Sequence, residues 1–389
     1  MSVKGFKASA VASGMRYKDR LDLALLIAEG DPTTTGLFTT NICKAAPVIW
    51  SKQRLGRAKA ILVNAGQANA QTGKEGMVAC RKSAAAAAEL LKIEPDQVLL
   101  ASTGIIGQPL NIPAMEEALP NLVNSASKDG LDLFAKAIMT TDTFPKTCEI
   151  KCAGPDRSSY TIWGAAKGSG MIAPNMATML CFVLTDAQAP KGFLQSALKN
   201  AVEESLNRVT IDGDTSTNDS IFIMASGAAK NAHISRDKTK REFEKSLSKV
   251  LSNLARMIAK DGEGANHMIE IAVIGAKNRL EAQQAAKTVA ESPLVKTAFF
   301  GQDANWGRIL MALGRSGAIF DPYRVELDLD DVPWVRGGQD NGQEKAVTAV
   351  MAKPEFRLTI NLKAGVAKYS MLTCDLSIDY VKINGSYRS

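Results

Sequence analysis

Histidine is nearly absent. The 389-residue chain has only His233 and His267. A three-histidine metal site is therefore excluded. A histidine-based triad would have to use one of these two, and neither stands beside a nucleophile motif. None of the six cysteines, Cys43, Cys80, Cys148, Cys152, Cys181 and Cys374, forms a C-x-x-C pair. That removes zinc ribbons and thioredoxin-type redox motifs, and leaves buried free thiols in a reducing compartment as the expectation. No apolar run approaches the ~20 residues of a membrane helix. The opening stretch, Met1 to Lys18, lacks the apolar core of a signal peptide. A cytoplasmic protein without membrane contact is expected. The phosphate-loop, G-x-G-x-x-G and G-x-S-x-G patterns are also missing, so no nucleotide cofactor is expected. Aromatics are 6% and do not interleave with basic residues, so the net charge of +7 speaks for small anionic ligands over nucleic acid.

What is present reads as a soluble globular chain of two or three domains, 46% hydrophobic and 22% charged. Strand-like and helix-like segments alternate. Ala60–Val63 and Val98–Ala101 are short apolar runs, the second leading into a turn at Ser102-Thr103-Gly104. The alanine-rich Met77–Leu91 reads as a helix. Ile112–Val123 reads as a helix broken by Pro120. Strands are expected over Cys148–Cys152 and Tyr160–Ala165, around a Gly154-Pro155-Asp156 turn. The densest basic stretch, Arg236–Lys245, carries acids too. Its apolar positions Phe243, Leu247, Val250, Leu251, Leu254 and Ile258 follow helical spacing. Mixed elements throughout predict a layered α/β fold, with a domain boundary near residues 275–280.

Two segments stand out chemically. Lys167 to Asn175 packs three glycine or proline breakers into nine residues and feeds an apolar strand starting near Thr178. Such a loop can hold a strained peptide, yet a threonine there also suits the plain first residue of a strand. The acidic Asp212–Asp219 loop lacks the order and closing glutamate of a calcium loop, so a turn with side-chain-to-backbone bonds is expected.

Ten segments run in order along nearly the whole chain: GFKASAVASGMRYKDRLDLAL, FTTNICKAAPV, VNAGQANAQTG, STGIIG, TTDTFPK, KGSGMIAPNMATML, DGDTSTND, KDGEGA, GQDANWGRI and YVKINGSY. On these the chain resembles the ornithine acetyltransferase, or glutamate N-acetyltransferase, family of arginine biosynthesis. The resemblance implies an αββα sandwich of the N-terminal-nucleophile type with a C-terminal α/β portion. It implies self-cleavage between Ala177 and Thr178, giving an alpha chain 1–177 and a beta chain 178–389, with a subdomain from about 276–389. Two of each chain would assemble as a heterotetramer. Thr178 would be the nucleophile, with its freed α-amino group as base. Thr103 and Gly104 would form the oxyanion hole. Thr141, Lys167, Glu263, Asn384 and Ser389 would bind substrate, and no metal or other cofactor would take part. The implied reaction moves acetyl from N2-acetylornithine to glutamate, and acetyl-CoA stays open as a further donor. Two rivals remain: a self-cleaving aminopeptidase or amidohydrolase of similar fold, and a non-enzymatic anion-binding protein. The chain departs from the family at Asn266-His267, where threonine-lysine is usual, and at Gln67 and Gln71. His267 so close to Glu263 in sequence is expected to alter substrate preference or pH profile.

Overall fold

The computed structural model describes residues 2–153, 159–173, 179–230, 234 and 237–386. Two compact units divide the chain: Met1–Asn207 with Asp214–Leu254, and Arg208–Gly213 with Ala255–Ser389.

Among the described residues the first unit has nine strands: β1 (Phe6–Val11), β2 (Leu23–Ala28), β3 (Thr33–Phe38), β4 (Ala60–Gln67), β5 (Val98–Ile105), β6 (Lys146–Ala153), β7 (Ser159–Lys167), β8 (Leu180–Thr185) and β9 (Ser220–Ala225). They form two sheets, ordered β1-β2-β4-β5 and β3-β9-β8-β7-β6. Side chains alternate across a strand, so each sheet presents two faces. Ala24, Leu26, Ile61, Val63, Leu99 and Ala101 of the first sheet share one core with Trp163, Leu180, Phe182, Leu184, Phe222 and Met224 of the second. The sheets are thus stacked face to face. Each such Leu, Val, Ile or Phe contributes about 1.5–3 kcal/mol by leaving water.

Helices cover both outer faces. On the first sheet lie α1 (Ala46–Lys52), α2 (Gly73–Leu91) and α3 (Ile112–Asn124), packing Trp50, Ala84, Ala87, Leu119 and Leu122 against Leu23, Leu25, Leu62, Val98 and Leu100. α4 (Leu131–Ala137) inserts Leu131 and Phe134 into the core between the sheets. On the second sheet, α5 (Lys191–Glu203) and α6 (Asp237–Lys260) bring Phe193, Phe243, Val250 and Leu254 against Tyr160 and Gly164. This is the expected αββα layering.

Local expectations needed two corrections. Ser102-Thr103-Gly104 is not a turn but the continuation of β5, because β4 and β5 pair in parallel through Ser102, Thr103 and Gly104 as far as Gln67↔Ile105. Pro120 does not break α3, which runs through it. Asn111 caps its start, and burial of Met115, Leu119 and Leu122 outweighs the lost backbone bond. The Gly154-Pro155-Asp156 turn lies outside the described residues.

The second unit holds β10 (Met268–Ala276), β11 (Glu326–Leu329), β12 (Val332–Arg336), β13 (Gln339–Asp340), β14 (Glu355–Asn361) and β15 (Ala367–Cys374), ordered β13-β12-β11-β14-β10-β15. α7 (Arg279–Ala290), α8 (Pro293–Phe300), α9 (Trp306–Gly314) and α10 (Glu344–Met351) close a single core over it. α11 (Ile378–Gly385) follows. β10 lies inside this sheet, between β14 and β15, so residues 255–275 group with this unit rather than ahead of a boundary near 276. Among the described residues no helix is long and apolar enough to cross a membrane.

Candidate active site

The sequence-predicted site residues that the structure describes fall into two groups, one in each unit. In the first, β5 carries Thr103 and Gly104 to its C-terminal end. Gly104 has φ +126° and lies opposite Gly66 of β4, and a Cβ on it would stand 2.2 Å from the Gly66 carbonyl carbon. Only glycine fits that approach. Buried amides tie down the strand end. Asn218 Nδ2 donates to the Ala68 and Ser102 carbonyls at 2.6 and 2.8 Å. Ser102 Oγ donates to Asn64 Oδ1 at 2.6 Å.

Lys167, at the end of β7, donates from Nζ to Thr103 Oγ1 at 3.2 Å. Behind it sits Asp142, which sequence reasoning passed over although it lies inside TTDTFPK. Its Oδ1 accepts from Lys146 Nζ at 2.6 Å and from the Gly168 N–H at 2.7 Å. Its Oδ2 accepts from the Thr140 N–H at 3.0 Å and lies 4.0 Å from Lys167 Nζ. Both side chains of the Asp142–Lys146 pair are fully buried. Burial pushes the Asp142 carboxyl up, but Lys167, Lys146 and the hydrogen bonds outweigh it and hold the group down at about 2. It is an anion at any working pH. Thr141 Oγ1 lies 2.6 Å from Ser169 Oγ, and Arg20 donates to the Met139 and Thr140 carbonyls. Asp142, Lys146, Lys167 and Thr103 are therefore held by one polar network, and Thr141 adjoins it through its neighbour Asp142.

Asp219, at the foot of β9, is only 2% exposed, and its Oδ2 has no hydrogen-bond partner among the described residues. Burial pushes its carboxyl well above the ordinary range, against the Met179 N–H, Lys167 and Ser216, which lower it. A raised carboxyl favours the neutral form in the folded state. Its stability contribution is complete below the unfolded value near 3.8 and is lost as pH rises towards the folded value. Asp219→Asn removes that loss. The variant should melt higher than wild type at pH 8, by about 2–4 °C per kcal/mol recovered, with the gap closing at pH 4. Thermal melts at both pH values measure it, and a pH-independent gap would contradict a buried neutral acid.

The second group is built on the D-G-E-G loop. Asp375 accepts from the Asn266 and His267 N–H groups at 2.9 and 3.0 Å. Ser377 Oγ donates to the Gly264 carbonyl at 2.6 Å. Gly264, at φ +66°, passes so close to α11 that a Cβ would stand 2.5 Å from the Tyr380 nitrogen. So clamped, buried Glu263 accepts from Asn384 Nδ2 at 2.8 Å. His267 begins the approach to β10. Its Nδ1 lies 2.8 Å from the Lys353 carbonyl oxygen and its ring tilts against Phe356. No hydrogen bond joins it to Glu263, because the backbone bonds to Asp375 fix where it enters β10.

Ala177, Thr178, Ser389 and His233 lie outside the described residues. Among the described residues no cluster of three or more His, Cys, Asp or Glu side chains could hold a metal ion. Cys43 is exposed, unlike the buried thiols expected; burial pushes the Cys80 and Cys181 thiols up to about 12. The loop expected over Asp212–Asp219 carries side-chain-to-backbone bonds, with the Asn218 N–H donating to Ser216 Oγ and Ser220 Oγ to the Asn218 carbonyl.

Comparison with known proteins places this geometry in context. The model of the ArgJ family matches residues 7–389. The arginine biosynthesis bifunctional protein ArgJ of Desulfotalea psychrophila is 49% identical over the whole of both chains, and that of Geobacter sulfurreducens is 46% identical over the same span. The crystal structure of the arginine biosynthesis bifunctional protein from Bacillus halodurans is 41% identical, with a TM-score of 0.52, over 54% of this chain and all of that one. The described site residues lie inside that match, and the chain belongs to the ArgJ family.

Proposed function

We infer that this protein is an acetyltransferase of arginine biosynthesis. It moves acetyl from N2-acetylornithine to glutamate through an acetyl-threonine on Thr178. The observation that carries the reading is the family match over residues 7–389, together with relatives covered end to end that bear the name arginine biosynthesis bifunctional protein. Their word "bifunctional" favours acetyl-CoA as a second acetyl donor.

The chemistry follows from the residues. The Thr178 hydroxyl attacks the Ala177 carbonyl and the peptide becomes an ester. That shift breaks the C–N bond and frees the Thr178 α-amino group; water then hydrolyses the ester, releasing the Ala177 carboxylate and restoring the Thr178 hydroxyl. A terminal amine with an ordinary pKa of roughly 7.7–8.0 is partly neutral near pH 7 and can take the proton of its own hydroxyl. Thr178 then accepts acetyl, ornithine leaves, and glutamate attacks the ester. Each step builds negative charge on a carbonyl oxygen. Thr103, by its hydroxyl, and Gly104, by its N–H, are the donors for it. Thr141 adds a hydroxyl contact. Lys167 suits an α-carboxylate, Glu263 with Asn384 an ammonium, and Ser389 completes the substrate contacts. Alpha chain 1–177 and beta chain 178–389, two of each, working in the cytoplasm, belong to the same reading.

Purified protein should run as two bands on a denaturing gel, one of them beginning at Thr178. It should transfer labelled acetyl from acetylornithine to glutamate. A single band from active protein would refute the cleavage. Acetylornithine consumption no faster with glutamate than with water would replace the transferase by the hydrolase reading.

A further inference from the structure

We propose that Lys167 polarises the Thr103 hydroxyl for its work as an oxyanion donor, and that the buried Asp142–Lys146 pair positions Lys167 for that task. This rests on the acyl-transfer reading above and gives Lys167 a role besides any contact with an α-carboxylate.

The argument begins with hydrogen-bond direction. An ammonium has three donors and no acceptor. In the 3.2 Å contact Thr103 Oγ1 must therefore accept. Its own proton points elsewhere, and no described residue takes it. A hydroxyl that accepts from a cation becomes a stronger donor, because hydrogen bonds in series polarise one another. Such a donor gains most where charge develops during reaction.

The backing explains why the ammonium stays there. Asp142 grips the residue twice: Oδ1 takes the N–H of Gly168, the peptide just after Lys167, and Oδ2 faces its Nζ at 4.0 Å. One carboxylate between two ammoniums leaves a net positive charge. Lys146 comes from β6, where it pairs with Ala166, the residue before Lys167. It is fully buried with its amine 2.6 Å from Asp142 Oδ1. A residue needed only to neutralise Asp142 could be dispensed with by removing both charges, since a buried pair replaced by apolar groups is often neutral for stability. The second ammonium instead holds the carboxylate fixed, so that the first keeps its hydrogen bond to Thr103.

The test separates polarisation from carboxylate binding by using an acetyl donor without a carboxylate. Wild type, Lys167→Met and the paired Asp142→Asn/Lys146→Met variant are assayed with acetylornithine and with para-nitrophenyl acetate. Rates are normalised to the cut chain read from a denaturing gel. Lys167→Met should lose about tenfold or more with both donors. The paired variant, folded by its melting curve, should lose kcat with both donors, its KM for acetylornithine staying within about threefold. Wild-type rates with para-nitrophenyl acetate in Lys167→Met, beside a raised KM for acetylornithine, would overturn the proposal and leave a simple carboxylate contact. An undiminished paired variant would overturn the role of Asp142 and Lys146. Wild type unable to transfer acetyl at all would instead strike the function itself.

Discussion

Thr178→Ala should leave a single uncut chain with no acetyl transfer above background. In the proposed reaction the variant removes the hydroxyl that forms the ester at Ala177, and the amine proposed as base would never be uncovered. Both defects fall on one residue, so losses in cleavage and in turnover appear together. Removing a covalent nucleophile of this kind costs about 10⁴ or more in kcat. Thr178→Ser keeps a hydroxyl and should be cut and retain measurable turnover, which separates loss of chemistry from loss of fold. The pH profile gives an independent check. A terminal amine acting as base must be neutral, so the wild-type rate should rise through roughly pH 7–8 as the ammonium loses its proton. Asp142, held at about 2, contributes no limb in that range. Appreciable turnover by purified Thr178→Ala, measured with labelled acetylornithine, would exclude it as the nucleophile.

The parts of this molecule that were legible in sequence are those whose own pattern decides their structure. The apolar period of Phe243, Leu247, Val250, Leu251 and Leu254 placed α6, and the continuous run Leu180–Leu184 placed β8, because burial alone dictates both. Where pairing decides, the chain is silent. β1 and β3 mix Ala, Ser, Thr and Gly and exist only because β2 and β9 accept them in register. Thr103-Gly104 reads locally as a turn, since glycine favours one. Its strand conformation comes from Gly66, 38 positions earlier, lying directly opposite. The site shows the same division. Thr103, Gly104, Thr141, Lys167, Glu263 and Asn384 were named through family motifs. Asp142, Lys146, Asn218 and Asp219 were not, though all four sit inside quoted motifs. Their signal is burial of a charge or an amide, which only the fold reveals. The partner of His267 was likewise not legible: its imidazole Nδ1 lies 2.8 Å from the Lys353 carbonyl oxygen, 86 positions away.

Gly104→Ala should damage both stability and activity. The added carbon would meet the Gly66 carbonyl carbon, oxygen and Cα at 2.2, 2.4 and 2.6 Å, all backbone atoms with no rotamer to yield. The φ of +126° adds strain of order 1–3 kcal/mol for any residue with a side chain. Relief requires β5 to part from β4 where the two strands end. That carries away the Gly104 N–H together with the Thr103 hydroxyl beside it. Losing one oxyanion donor costs about 10²–10³ in kcat, and both proposed donors move here. The expected outcome is a lower melting temperature and a kcat per cut chain reduced by at least about 10³, with cleavage slowed as well. Thr103→Val separates the two contributions. It keeps the volume and the backbone, deletes only the hydroxyl, and should lose about 10²–10³ in kcat with little change in melting. Both variants turn on the same strand end, so their difference reads the backbone's share. If Gly104→Ala melts like wild type and keeps its kcat, the close approach of β4 and β5 does not shape the oxyanion hole. If only Thr103→Val keeps full activity, the N–H of Gly104 carries the stabilisation alone.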